Sequence, residues 1–423
     1  MPAPDTTPPP QNRNRRAVWI ALAIGMLLAV FALRWVSQPS QVAGLILHQA
    51  GQALGLEITA SGASEYRLRG TPMLALRDVV ARQPGAAAAL LSAERIHLEL
   101  PWSTIRARGA DLTIKRIELD APQLDLTALQ RWLATRPPSE TRIPTLTGGL
   151  HVVRGRVIGD GWSVDAFDFD LPSLHPQRPA SAHASGRMTS GSTRVPFDLD
   201  VALTRPAAGA GLGLSGDVSV ESAPWTLPME ATVSGRLHDG EDGIGLDRLR
   251  LGVEARYRNG DTDLPFVFGL AGKLRVRDGV AGLSPLGVAV RGQGPVPKLD
   301  AHGQLVLGDA LSTQLQGAIA NWPATWPALP PPIGQSSSSL PFDLRYHGRT
   351  DLSDVAALRL SRDATVFDGR FRLPQMLDWI DADAQGSPLP PLAGRLTTPK
   401  LEISGVTLEG VDIEFGDDTP ATP

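Results

Sequence analysis

From Leu56 onward, apolar and polar residues alternate with a period of two. Glu94-Arg95-Ile96-His97-Leu98-Glu99-Leu100 places Ile96, Leu98 and Leu100 on one side and charged or polar groups on the other. The same pattern recurs in Asp111-Leu112-Thr113-Ile114, Ile117-Glu118-Leu119, Leu124-Asp125-Leu126 and Phe197-Asp198-Leu199-Asp200-Val201-Ala202-Leu203. Successive strand side chains point to opposite faces, so this alternation predicts antiparallel sheets with one apolar face and one wet face. Helical signals are few. Ser40 to Leu54 has apolar residues at helical spacing, which fits a short helix at a membrane surface or one capping a sheet end. Thr127 is placed to cap a helix over Ala128 to Thr135, which Pro137 and Pro138 end. Pro374 suits the first turn of a helix over Gln375 to Ala384.

One segment breaks the alternation altogether. Ala17 to Val36 is twenty residues with a single charge, Arg34. At 1.5 Å per residue it spans about 30 Å, the thickness of a bilayer's hydrocarbon core. Trp19 and Trp35 fall near its two ends, at headgroup level. Arg13, Arg15 and Arg16 precede it and, by the positive-inside rule, hold the N-terminus in the cytoplasm and send the remainder outward. The run is longer than a signal-peptide core, and no small-x-small cleavage pair follows it, so a retained anchor is expected.

Composition sharpens the reading. Glycine (43) and proline (37) are abundant and aromatics make only 5% of the chain, which suits short strands and turns better than long helices. Cysteine is absent, which removes disulfides, thiolate nucleophiles and cysteine-ligated zinc. A net charge of −4 gives no electrostatic reason to expect nucleic acid. Low-complexity stretches mark a disordered leader (1–16), a loop or linker (321–339) and a disordered tail (416–423). A glycine-polar-aliphatic triplet recurs irregularly, at Gly186, Gly216, Gly235, Gly272, Gly303, Gly369 and Gly394, as expected of a meander whose hairpins re-enter at glycine.

Candidate chemistry is thin. Gly211-Leu212-Gly213-Leu214-Ser215-Gly216 matches a dinucleotide fingerprint, yet a strand pattern follows where a helix N-terminus is needed. Asp165, Asp168 and Asp170 alternate with Phe167 and Phe169 as on a half-buried strand and lack calcium-loop spacing. The histidines are scattered and no nucleophile elbow occurs. No catalytic, cofactor or metal residues are assigned, and a non-enzymatic protein is expected.

The order of segments carries more. Pro72-Met73-Leu74-Ala75-Leu76-Arg77-Asp78-Val79, the strand around Glu94 to Leu100, and Ile117-Glu118-Leu119-Asp120-Ala121-Pro122-Gln123-Leu124-Asp125-Leu126 follow the apolar run. This succession resembles the N-terminal region of the AsmA family of bacterial envelope proteins. Gly394 through Val411 is similar to that family's closing strands. The resemblance covers about residues 17–126 and 392–415. It implies an all-β protein: an N-terminal transmembrane helix (17–36) followed by an elongated, curled, groove-like antiparallel sheet (40–415) in the periplasm, with a few short helices.

The function implied is the handling or transport of phospholipid between inner and outer membranes, in support of outer-membrane integrity. An apolar trough in the sheet would take acyl chains and need no cofactor. Ile96, Leu98, Leu112, Ile114, Ile117 and Leu119 are the candidates for the apolar face near the membrane end. The competing expectation is a structural or assembly factor of the envelope, acting through protein partners from a closed core.

Overall fold

The computed structural model describes residues 54–416 except 62–64, 68, 108–111, 136–142, 327–328, 330, 382–390 and 404–405, together with Leu47, Gly51 and Gln52. The expected anchor at 17–36, Arg13, Arg15 and Arg16, the leader, and residues 417–423 of the tail lie outside the described residues. Among the described residues no helix is long and apolar enough to cross a membrane. Among the described residues the protein is mostly β, with 66% strand and 8% helix, and the sheet is antiparallel. Two compact units divide the chain, one of residues 1–139 with 157–159 and one of 140–156 with 160–423.

In the first unit the strands are β1 (Glu57–Ala60), β2 (Glu65–Arg67), β3 (Met73–Arg82), β4 (Leu91–Glu99), β5 (Thr113–Ile114), β6 (Arg116–Asp120) and β7 (Gln123–Asp125). β3 takes β1 and β2 along one edge and β4 along the other, and β4 in turn pairs with β6 and β7. Leu76 and Val79 are buried with Leu47, and Ile58, Leu74 and Ile96 pack around them. A short helix, α1 (Trp102–Arg106), had no signal in the sequence pattern.

The next helix, α2 (Leu126–Ala134), starts earlier than the spacing predicts, and its cap is Asp125 rather than Thr127. The Asp125 carboxylate accepts from the Ala128 amide at 2.8 Å, satisfying a donor that the first turn leaves unpaired. Asp125 ends β7 in extended backbone, the conformation a capping residue needs, whereas Thr127 is already helical.

In the second unit β8 (Thr145–Leu146) precedes β9 (Leu150–Ile158), β10 (Trp162–Leu171), β11 (Ala180–Ser190), β12 (Thr193–Leu203) and β13 (Gly211–Ser222). Longer strands follow: β14 (Trp225–Gly240), β15 (Gly243–Asn259), β16 (Thr262–Arg277) and β17 (Val280–Gly292). Then come β18 (Lys298–Leu307), β19 (Leu311–Asn321), β20 (Leu340–Gly348), β21 (Val355–Arg362) and β22 (Thr365–Arg372). A helix, α3 (Leu373–Asp381), with Pro374 in its first turn as expected, leads to β23 (Leu392–Ile403) and β24 (Val406–Phe415). From β10 to β24 every strand pairs antiparallel with the next. This is the meander that the alternation predicts.

Two features shape this sheet. First, the register slips in five successive pairings, β14–β15 to β18–β19. Bulges of this kind bend a strand and increase its twist. Around them Leu249, Leu283 and Leu286 are buried, with Val233, Leu270 and Leu274 packed against them. Second, the described residues of 322–339 form a strap over β19 to β23. They are irregular, as expected of a loop, apart from one 3₁₀ turn at Ile333–Gln335. Trp322 and Trp326 meet edge to face at 4.8 Å, and with Leu329 and Ile333 they pack onto Ile319, Leu340, Leu360 and Leu396.

The recurrent glycines require a correction. They lie within strands rather than at hairpins: Gly216 is in the middle of β13, for example, and Gly303 in β18. At Gly216, with φ +147°, a β-carbon would run into the Asp198 carbonyl of the neighbouring strand. Close backbone approach in a bent sheet, not turn formation, is what excludes a side chain there.

Candidate functional site

Because directly opposed residues in an antiparallel pair share a face, the registers can be followed across the sheet. One row begins Ala182–Val201–Leu214–Val233–Leu251–Leu270–Val288 from β11 to β17. It continues Ala301–Gly317–Phe342–Leu360–Phe367–Leu396–Ile413 to β24. Fourteen successive strands thus contribute no charged or polar side chain to it. On the other face another row runs Asp198–Asp217–Glu230–Glu254, four exposed carboxylates on neighbouring strands.

The apolar row is covered unevenly. Under the strap, Leu360 and Leu396 are buried and Leu340 beside them is fully enclosed. From β11 to β14, Ala182, Val201, Leu214 and Val233 are each only half-buried. Phe197, Leu199, Val218 and Met229, on the same face of these strands, are half-buried too. Leucines and phenylalanines in a closed core lose nearly all their exposure, so this stretch lacks a second layer among the described residues. The substantial contacts of these strands are with their sheet neighbours.

A cleft of about 440 Å³ follows Ala182, Val201, Leu214 and Val233, with His183, Asp200 and Ser215 alongside. A larger trough of about 890 Å³ crosses β12 to β17 and contains no member of the apolar row. His183 Nδ1 lies 3.1 Å from Asp200 Oδ1 and its Nε2 3.5 Å from Asp198 Oδ1. The hydrogen bond to Asp200 raises the imidazole above its ordinary value, against a smaller opposing effect of desolvation. Asp170, next in this neighbourhood, holds His151. Among the described residues no group of three or more histidines and carboxylates is placed to hold a metal ion.

The six candidate face residues are separated by the fold. Ile96 opposes Leu119 and Leu98 opposes Ile117 across β4 and β6, all four half-buried on one face of the first unit. Ile114 lies in the two-residue strand β5 and Leu112 just before it, both outside the β3–β4–β6 ladder. The dinucleotide-like glycines run within β13, in strand from end to end, so no helix N-terminus is offered to a phosphate. Asp165 pairs with Arg156, and Asp168 accepts from the Arg154 amide.

The half-buried apolar face of β11 to β14 is one the sequence did not single out as a site. The signal was present in Phe197 to Leu203, but only the register joins it to Leu214 and Val233.

Compared with known proteins, the chain matches no family model, no curated protein and no solved structure.

Proposed function

We propose that this protein is a non-enzymatic lipid-handling protein of the bacterial envelope. Residues 17–36 anchor it in the inner membrane, and the β-rich body lies in the periplasm and holds phospholipid acyl chains against its apolar row. The observation that carries this reading is a row across fourteen strands that no charged or polar side chain interrupts, half-buried from β11 to β14. A contiguous apolar strip left half-buried marks a surface that binds something apolar. Each CH₂ group transferred from water onto it gains about 0.8 kcal/mol. A uniform stripe sets no register for an acyl chain, which suits a surface along which chains slide. The charged opposite face keeps such a sheet soluble. The resemblance of residues 17–126 and 392–415 to the AsmA family points the same way.

The test is lipid extraction and native mass spectrometry on the full-length protein, purified in a mild detergent and compared with Val201→Asp and Leu214→Asp. Phospholipid retained by the parent and lost by the folded variants supports the reading. A lipid-free parent, or lipid unaffected by both substitutions, overturns it and leaves a protein-binding envelope factor as the alternative.

A further inference from the structure

The open apolar face ends differently along its two borders. At one, Trp162 opposes Ser190 and Ser190 opposes Thr193, while Ser222 opposes Trp225, Trp225 opposes Asn259 and Asn259 opposes Thr262. Arg194 opposes Glu221, which sets Thr193 against Ser222 one residue on. The result is a single cross-strand row at the hairpin ends of β10 to β16, on the apolar face. It carries hydroxyls, an amide and two indoles, and no charge. The charged residues next to it in the chain, Arg194, Glu221 and Arg258, fall on the other face. One step inward the face is apolar again, with Met188 opposite Val195 and Val220 opposite Leu227. Tyr257 sits inward of Asn259, its ring centroid 6.1 Å from that of Trp225, and its hydroxyl accepts from Asn259 Nδ2 at 3.3 Å. The far border has no such row. Ten residues along β12 and β13, Leu203 opposes Leu212, with Ala180 and Gly235 on either side.

Tryptophan and tyrosine have an apolar body and a polar edge, and they gather where an apolar surface meets water. Trp162, Trp225 and Tyr257 are each half-buried, as such a position requires. Hydroxyl, amide and indole N–H groups donate to neutral oxygens. A phosphate or carboxylate would call for arginine or lysine, and this row offers neither. From Thr193 to Leu203 the strand runs about 33 Å, at about 3.3 Å per residue. That exceeds the depth of about 15 Å that one acyl chain fills in a bilayer leaflet. The face therefore has the layout of an amphiphile, with uncharged donors along one border and an apolar run longer than an acyl chain behind them.

We infer that the border formed by Trp162, Ser190, Thr193, Ser222, Trp225 and Asn259 receives the ester-linked glycerol level of a diacyl lipid, whose chains run along the strands toward Leu203. The inference rests on the lipid-handling reading and adds to it a fixed polarity. The two ester carbonyls accept from the hydroxyls and the amide, the aromatic rings flank the glycerol, and the phosphate lies beyond the border in water. Nothing in the row tells one head group from another, so the lipid is selected by its esters and its chains. Because similar donors recur from strand to strand, a lipid moving sideways across the sheet meets new ones at each step.

The chain has no cysteine, so Thr193→Cys and Leu199→Cys each place a single bimane label on the full-length protein, held in a neutral detergent. Leu199 lies on the same face of β12, about 20 Å along the strand. Phosphatidylcholine with a nitroxide on its head group should quench the Thr193 label about twofold or more above the Leu199 label, and a nitroxide at the chain end should do the reverse. Val201→Cys takes the place of Leu199→Cys if that variant does not fold. Displacement of the chain-end probe then compares unlabelled diacyl phosphatidylcholine with its dialkyl ether analogue, which lacks the carbonyls. The ether should bind about fivefold more weakly, the worth of about one hydrogen bond, and Ser222→Ala with Asn259→Ala should bring the two within about twofold. Equal quenching of both labels by both probes, or the reversed pattern with the head group near Leu199, would overturn the polarity. An ester preference missing from the parent, or intact in the double variant, would overturn the role of the border donors. If neither probe quenches either label, no lipid lies on this face and the lipid-handling reading fails as well.

Discussion

The β11–β14 and β19–β23 stretches of the second unit share one apolar row and differ in what lies on it. Val201, Leu214 and Val233 in the first stretch are half-buried, as are Phe342 and Phe367 in the second, whereas Leu360 and Leu396 of the second are 7% and 3% exposed and Leu340 beside them is 0%. The alternation along the strands is the same in both. What differs is the strap, whose Trp322, Trp326 and Ile333 supply the missing layer over the second stretch only. A strand pattern therefore states which side chains avoid water, while a separate segment settles whether they succeed. The covered end is a core by any energetic measure. The open stretch is a sheet face held by its ladder hydrogen bonds and its cross-strand pairs, with apolar area still available to a ligand.

That contrast can be broken in several ways. Leu340→Ala, at the fully enclosed position, should lower stability by about 2–5 kcal/mol, read as a fall in the denaturation midpoint, whereas Leu214→Ala should cost about 1 kcal/mol or less. Equal losses would mean that the open stretch is packed after all. Gly216→Val should cost about 1–3 kcal/mol although it lies in the open stretch, since the new β-carbon meets the Asp198 carbonyl. An unchanged melt would show that β12 and β13 part easily. Leu214→Asp should leave the melt within about 1 kcal/mol of the parent while abolishing lipid retention, because a half-exposed site can hydrate the new carboxylate. Unfolding instead of lipid loss would count against an open face.

The smallest effect belongs to the rim of the open stretch. His183 has a raised folded-state value, so its contribution to stability is fully present below the ordinary imidazole range and fades as pH rises through the folded value. Asp200→Asn should move the His183 titration, followed by NMR, back toward about 6.5. A midpoint that does not move would assign the shift to another neighbour.

Much of the fold was legible in the chain. The two-residue alternation at Glu94–Leu100 and Phe197–Leu203 became β4 and β12, and Pro374 marked the first turn of α3. Three things were not legible, each for a physical reason. The cap of α2 shifted from Thr127 to Asp125 because both residue types can accept the amide and only the end of β7 fixes which one is extended. The interior glycines were expected at turns, because the close approach that requires them is made by strands whose register cannot be read from one sequence. The strap read as a loop or linker, because its prolines remove ladder donors and its serine run lacks an apolar alternation, and neither reveals what Trp322 and Ile333 will touch.

The candidate site divides along the same line. Ile96, Leu98, Ile117 and Leu119 were placed together by their alternation and do share a face. Leu112 and Ile114 follow the same pattern but lie outside the ladder, Ile114 in the two-residue strand β5 and Leu112 just before it. The apolar row from Ala182 to Ile413 had no sequence signal as a row, because its members are neighbours only across strands.

By itself, then, the sequence determined which residues are strand-formers, which of their faces is apolar, and that breakers would divide the chain into many short turns. These depend on local sterics and on the period-two geometry of an extended chain. Tertiary structure alone decided the register that joins fourteen strands into one row, the bulges that bend it, and the strap that buries one end and leaves the other half-exposed. Burial is set by what packs on top of a face, and that partner lies tens or hundreds of residues away in the chain.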